Sequence, residues 1–257
     1  MPYITSARSE GIMAVSLRHP PANALNNVLL EELHAAMDEA VRDDEVRGLV
    51  IASEVPGVYC DGFDIREVFQ FDQETATLFF ARFIDLYESL YLLPKPVVSA
   101  VAGLASSWGS ILAIASDLRV FAEGNYTFAF NDVNYGVALP PGLLRMIHGC
   151  ISPGAARAML LSGEHITPAR AFAIGVANEL VDMTCATPRA MSLCAEMARK
   201  PGEAFAALKR SLRILSGHSG EKGDRDALPG IIECWFAQAA QDHREAILAS
   251  INSSPGV

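Results

Sequence analysis

Apolar positions along the chain switch between a period of two and a period of three to four, and the switches mark the elements. Residues 12–17 alternate and predict a strand. The turn residues His19 to Asn23 follow. Leu29, Leu33, Ala36, Met37, Ala40 and Val41 then fall on one helical face, which Asp43 and Asp44 end. The short apolar run 48–52 predicts a buried strand. A glycine-punctuated loop over 54–64 leads to a helix reaching about Phe71. Leu78, Phe79, Phe83, Leu86 and Leu90 predict a helix over 74–92, broken by Lys95-Pro96. A second buried strand is expected over 97–102, an apolar helix over 111–116, and a third strand over 118–121. Strands alternating with helices predict an α/β fold with parallel strands.

The remainder reads as mostly helical. Thr167-Pro168 and Thr187-Pro188 each place a capping threonine before a proline suited to the first helical position. Gly175 suits a helix stop. The polar, glycine-rich stretch 217–230 is the expected hinge, with one terminal helix over 231–250. The expected division is an α/β core over 1–190 and a helical segment over 191–257. No repeat of 20–50 residues is visible in the sequence.

Composition removes several function classes. With 51% apolar and 19% charged residues among 257, the chain has enough apolar matter to build a core and too little charge for disorder. No apolar run reaches about 18 residues, so no membrane span is expected. The first residues lack a basic stretch followed by an apolar one, so no secretory signal is expected and the predicted compartment is the cytoplasm. A net charge of −10 without a long Lys/Arg run disfavours nucleic acid and anionic membranes. Five dispersed cysteines form no CxxC pair, and six histidines form no HExxH, so neither a disulfide framework nor a metal site is expected. No early GxGxxG and no Walker sequence is present, and no separate cofactor is expected.

Two loops carry candidate chemistry, around Tyr59–Ile65 and Ala105–Ile111. Each follows a strand and opens a helix, where backbone N–H groups lack helical partners. Two such ends facing each other would offer two donors to one oxygen. A second reading takes Ala105-Ser-Ser-Trp-Gly109 as a nucleophile elbow with Ser107 as nucleophile. Asp132 or Asp182, then His218 or His243, would complete that serine hydrolase.

The order of five motifs resembles the crotonase superfamily, the enoyl-CoA hydratases and isomerases. These are Asn23-Ala24-Leu25, the loop Gly57–Ile65, the stretch from Lys95 to Gly103 followed by Asp117, the stretch from Phe128 to Pro140, and the stretch from Ala156 to Asn178. The resemblance covers roughly residues 10–182 in unbroken order. It implies a spiral of ββα units with a helical trimerisation segment, assembled as a homotrimer or dimer of trimers, and an acyl-CoA thioester as substrate.

Matched position by position, the carbonyl-binding amides are those of Phe63 and Trp108. The family often has Ala and Gly there, so the aromatic bulk is expected to narrow the acyl pocket. Hydratases carry a carboxylate on the helix after the second loop, where this chain has Ile111; the second acid, usually Glu, falls at Asp132. One acid suffices to move a double bond, so the pattern is closest to Δ3,Δ2-enoyl-CoA isomerases, with Asp132 as single acid/base. A hydratase with altered acids and a non-catalytic acyl-CoA binder are the alternatives. Ala24, Leu25, Gly62, Asp61 and Ile111 are expected to line the substrate site, Asp61 either as a second proton-transfer group or as a turn residue facing water. Lys209, Arg210 and Arg213 fall on one helix and either meet CoA phosphates or form a solvated face, while Lys95 reads as structural.

Overall fold

The computed structural model describes residues 1–217 and 224–253. The chain begins with an antiparallel pair, β1 (Ile4–Ser9) and β2 (Ile12–Leu17), followed by α1 (Asn27–Arg42). Three ββ units come next. The first is β3 (Gly48–Ser53) and β4 (Gly57–Asp61), followed by the short α2 (Ile65–Val68) and the long α3 (Gln73–Leu92). The second is β5 (Val97–Val101) and β6 (Gly103–Ser106), followed by α4 (Trp108–Ala115). The third is β7 (Leu118–Ala122) and β8 (Phe128–Ala129), followed by a 3-10 turn (Asp132–Tyr135) and α5 (Pro141–His148).

Each unit gives its first strand to one sheet and its second to another. The larger sheet has the order β1-β2-β3-β5-β7-β9, with β9 at Glu179–Val181, and the smaller is the parallel trio β4-β6-β8. The chain therefore climbs as a spiral of ββα turns. The sequence hides this repeat because α2 and the 20-residue α3 lengthen the first turn. The strands of the larger sheet were legible because β3 and β5 are apolar runs buried on both faces. Those of the smaller sheet are two to five residues long and carry Gly57, Asp61, Gly103 and Ser106, so 57–61 and 103–106 read as loop.

Helices α6 (Pro153–Ser162), α7 (Pro168–Ala173), α8 (Ala186–Ala198) and α9 (Gly202–Leu215) follow. Thr167 caps α7 as expected, accepting from the Arg170 amide at 3.3 Å. Thr187 does not cap α8: a 3-10 turn (Met183–Cys185) runs straight into that helix, so Thr187 lies within its first turn. The expected division near residue 190 falls inside α8. Of the expected hinge, 218–223 lie outside the described residues, and the adjoining 3-10 turn (Asp224–Ala227) is anchored. The Asp224 carboxylate accepts from the Tyr87 hydroxyl and from the Gly142 and Leu143 amides at 2.5–2.8 Å, capping α5 from across the fold. The expected single terminal helix is two, α10 (Leu228–Phe236) and α11 (Gln238–Ser253), because Ala237 is extended. No helix among the described residues is long and apolar enough to cross a membrane.

Candidate active site

The two loops singled out in the sequence lie side by side, and the strands beneath them explain why. β4 and β6 pair in parallel with Asp61 opposite Ser106. Each strand ends at that level, and two residues further on stand Phe63 and Trp108. A Cβ on Gly62 would sit 3.1 Å from the Ser107 Cβ, so the two turns touch. Gly62 has φ +75°, a conformation glycine adopts without strain. Gly109 is needed for another reason: a Cβ there would lie 1.9 Å from the Cys60 carbonyl oxygen, so only glycine lets α4 rest on β4.

The Asn23-Ala24-Leu25 motif clamps the first loop. Asn23 is fully buried at φ +51°; its amide nitrogen donates to the Tyr59 carbonyl and the Ser53 hydroxyl, and its side-chain oxygen accepts from the His19 amide. The Leu25 amide donates to the Gly62 carbonyl, and the Asp64 amide donates to the Leu25 carbonyl, both at 2.8 Å. This parallel bridge uses the groups flanking Phe63, so Phe63's own N–H points the other way. Trp108 is the first residue of α4, where an amide has no helical acceptor. Among the described hydrogen bonds, neither the Phe63 nor the Trp108 amide donates to a protein acceptor. The pair can serve one carbonyl oxygen.

Their side chains pack behind them. The Phe63 ring makes edge contacts with Phe79, Phe80 and Phe83 of α3, and Trp108 stacks edge-on against Phe83 at 5.1 Å. In front, a cleft of about 400 Å³ is walled by His19, Ala24, Asp61, Phe63, Arg66 and Tyr135. It adjoins an inner pocket of about 20 Å³ bounded by Phe63, Phe69, Ser107, Tyr135 and Trp235, room for about one water. Phe63, Phe69 and Trp235 bound this inner pocket, whereas the Trp108 ring is not among its walls.

Asp132 lies behind this pocket, 1% exposed. Its Oδ1 accepts from the Ser107 hydroxyl at 2.5 Å, and its Oδ2 has no partner among the described residues. Burial pushes its carboxyl up to about 6, against a smaller opposing effect of the Ser107 hydrogen bond. Ile111 is fully buried on α4. Asp61 ends β4 and does not sit in a turn, but it is exposed to water as that reading expects, and its carboxylate accepts from the Ser106 hydroxyl at 2.6 Å at the cleft wall. Burial, then the charges of Asp61 and Asp132, raise the Tyr135 hydroxyl above its ordinary value, so both carboxylates act on that residue.

The C-terminal cations are not brought to this cleft. Lys209 is 6% exposed and donates to Asp117 at 2.8 Å; Arg213 donates to the same carboxylate at 2.7 Å and lies over the Tyr91 ring. Asp117 also accepts from the Val97 amide, so the cluster fastens α9 to β5, and these two residues form neither an open phosphate site nor a solvated face. Lys95 is structural, donating to the Ala40 and Asp43 carbonyls. The cation at the cleft is Arg66, with the His19 ring beside it, and the sequence offered these only as helix and turn residues. Tyr135 and Trp235 were missed likewise, because nothing local sets them apart from core aromatics. The expected hydrolase triad is not assembled either. The Ser107 hydroxyl is engaged by Asp132, Asp182 is exposed beside α8, His243 sits on α11 without a bond to Ser107, and His218 lies outside the described residues.

Known proteins share this arrangement of the chain. The solved structure of human mitochondrial Δ3,Δ2-enoyl-CoA isomerase superposes with a TM-score of 0.92 over 99% of this chain and 100% of that one, at 21% identity, which establishes the crotonase fold with its helical C-terminal segment. Enoyl-CoA delta isomerase 1 of Mus musculus is 27% identical over 79% of this chain and 71% of its own length. The probable enoyl-CoA hydratase echA6 of Mycobacterium tuberculosis is 33% identical over 96% of both chains. The family model for enoyl-CoA hydratase/isomerase matches residues 7–223, the stretch that builds both sheets and both amide loops, and this chain belongs to that family.

Proposed function

We propose that this chain shifts the double bond of an enoyl-CoA thioester from the 3 to the 2 position. The observation that carries this reading is a buried carboxylate, Asp132, bonded to Ser107 next to two amides that donate to no acceptor among the described hydrogen bonds, with an isoleucine and not a second acid at position 111. The thioester oxygen is held by the Phe63 and Trp108 amides, which stabilise the negative charge that develops when C2 loses a proton. Asp132 takes up that proton and returns it to C4 of the dienolate. A group with its acidity near 6 is suited to both halves of the exchange. Arg66 at the mouth is the cation for the CoA phosphates.

A second reading has one specific support. Asp61 at the pocket wall and Asp132 behind it both raise the Tyr135 hydroxyl, and two such carboxylates could orient water for addition to a 2-enoyl-CoA. Incubation with 2-enoyl-, 3-enoyl- and 3-hydroxyacyl-CoA separates the two. Conversion of 3-enoyl to 2-enoyl substrate is the expected result, and water gain by the 2-enoyl substrate alone overturns the isomerase reading. Leu208, Leu212 and Leu215 of α9 are 62%, 52% and 83% exposed, which supports self-association through this face; sedimentation gives the mass.

A further inference from the structure

Ser107 holds an unusual backbone conformation, with φ +47° and ψ −117°, a region costly for any residue with a Cβ. The serine occupies the N-cap of α4, yet its side chain makes no capping bond. Its hydroxyl instead donates to Asp132 Oδ1 at 2.5 Å, with both residues buried. The strained backbone therefore directs a hydroxyl onto the carboxylate and secures no bond for the helix.

The placement of the two groups is unequal. Ser107 forms part of the inner pocket wall, directly before the Trp108 amide, whereas Asp132 is not part of that wall. A thioester whose oxygen sits on the Phe63 and Trp108 amides meets the Ser107 hydroxyl before it meets the carboxylate. From these positions we infer that Ser107 is a catalytic residue that relays the proton between substrate carbon and Asp132. The C2 proton moves to Ser107 Oγ as the hydroxyl proton moves to Asp132 Oδ1, and the C2–H electron pair enters the dienolate. The reverse pair of transfers delivers a proton to C4. No net charge remains on the serine, and no further reactant is consumed. This inference rests on the isomerase reading above and adds the route of the proton.

The test uses four variants of the full chain, assayed for double-bond migration and for acyl-CoA binding by calorimetry. Ser107→Ala and Ser107→Gly both remove the hydroxyl; the glycine variant also relieves the backbone, which guards against misfolding. The relay predicts a fall in kcat of about 10²-fold or more for both, with binding within about threefold of the parent. Glutamate is one carbon longer, about 1.5 Å. In the Ser107→Gly background, Asp132→Glu is therefore expected to reach the substrate directly and recover at least about tenfold of the lost turnover. Turnover within about threefold of the parent for Ser107→Gly, or no recovery in the double variant, overturns the relay. Asp132→Asn separates this from the parent reading. If Asp132→Asn is inactive while Ser107→Gly is active, the relay alone fails. If Asp132→Asn keeps parental turnover, or the parent chain moves no double bond, both fail.

Discussion

Asp117 and Asp132 are both withdrawn from solvent, and they are treated in opposite ways. Asp117 accepts from a lysine, an arginine and a backbone amide, so its charge is matched on all sides. Asp132 accepts from one hydroxyl and leaves one oxygen without a partner. A matched carboxylate holds a fixed charge and fastens α9 to the sheet. An under-matched one gains and loses a proton near neutrality, which makes it useful for chemistry and costly for stability.

The largest expected effect separates the two by activity. Asp132→Asn lowers turnover of 3-enoyl-CoA by about 10²–10⁴-fold, with acyl-CoA binding retained, as read by steady-state kinetics and calorimetry. Asp117→Ala does the reverse. It leaves Lys209 and Arg213 without their counter-charge and lowers stability by about 3–5 kcal/mol in urea unfolding, with kcat at permissive temperature unchanged.

A pH series sharpens the contrast further. Because burial raises the Asp132 carboxyl to about 6, the folded chain binds that proton more tightly than the unfolded chain, whose aspartate titrates near 4. The stability this confers is full below about pH 4 and is lost as pH rises through about 6, about 3 kcal/mol in all. The difference in unfolding free energy between the parent and Asp132→Asn should show this slope between pH 4 and 7, and a flat difference would exclude Asp132 as the acid/base. Turnover runs oppositely, rising through about pH 6 as the base is freed. The smallest effect is expected at the cleft mouth. Arg66→Ala raises KM for the CoA thioester by about tenfold and leaves kcat alone if, as proposed, this exposed cation serves the CoA phosphates and not the reacting acyl group.

Much of the fold was readable because the larger sheet is built from uninterrupted apolar strands, as in residues 48–52 and 97–101. The smaller sheet was not, although it aligns the two amide loops. Its strands owe their conformation to pairing with one another and to the Asn23 clamp, neither of which leaves a periodic trace. The cations followed the same division. Lys209, Arg210 and Arg213 fall on one helix, as the sequence pattern shows, but Asp117 claims Lys209 and Arg213 across about 90 residues, while Arg66 of α2 and the turn residue His19 meet at the cleft.

The sequence alone determined the order of the units, the two turns that follow strands and open helices, and the presence of an aspartate at position 132. These are local facts, set by period, glycine placement and residue type. Only the tertiary structure decided that the Phe63 and Trp108 amides stand beside each other without an acceptor among the described hydrogen bonds, that Trp235 from α10 helps close the pocket, and that the Ser107 hydroxyl donates to Asp132. Each of these depends on which distant backbone or side chain occupies the remaining space, and packing between segments, unlike periodicity within one, is not written in any single stretch of residues.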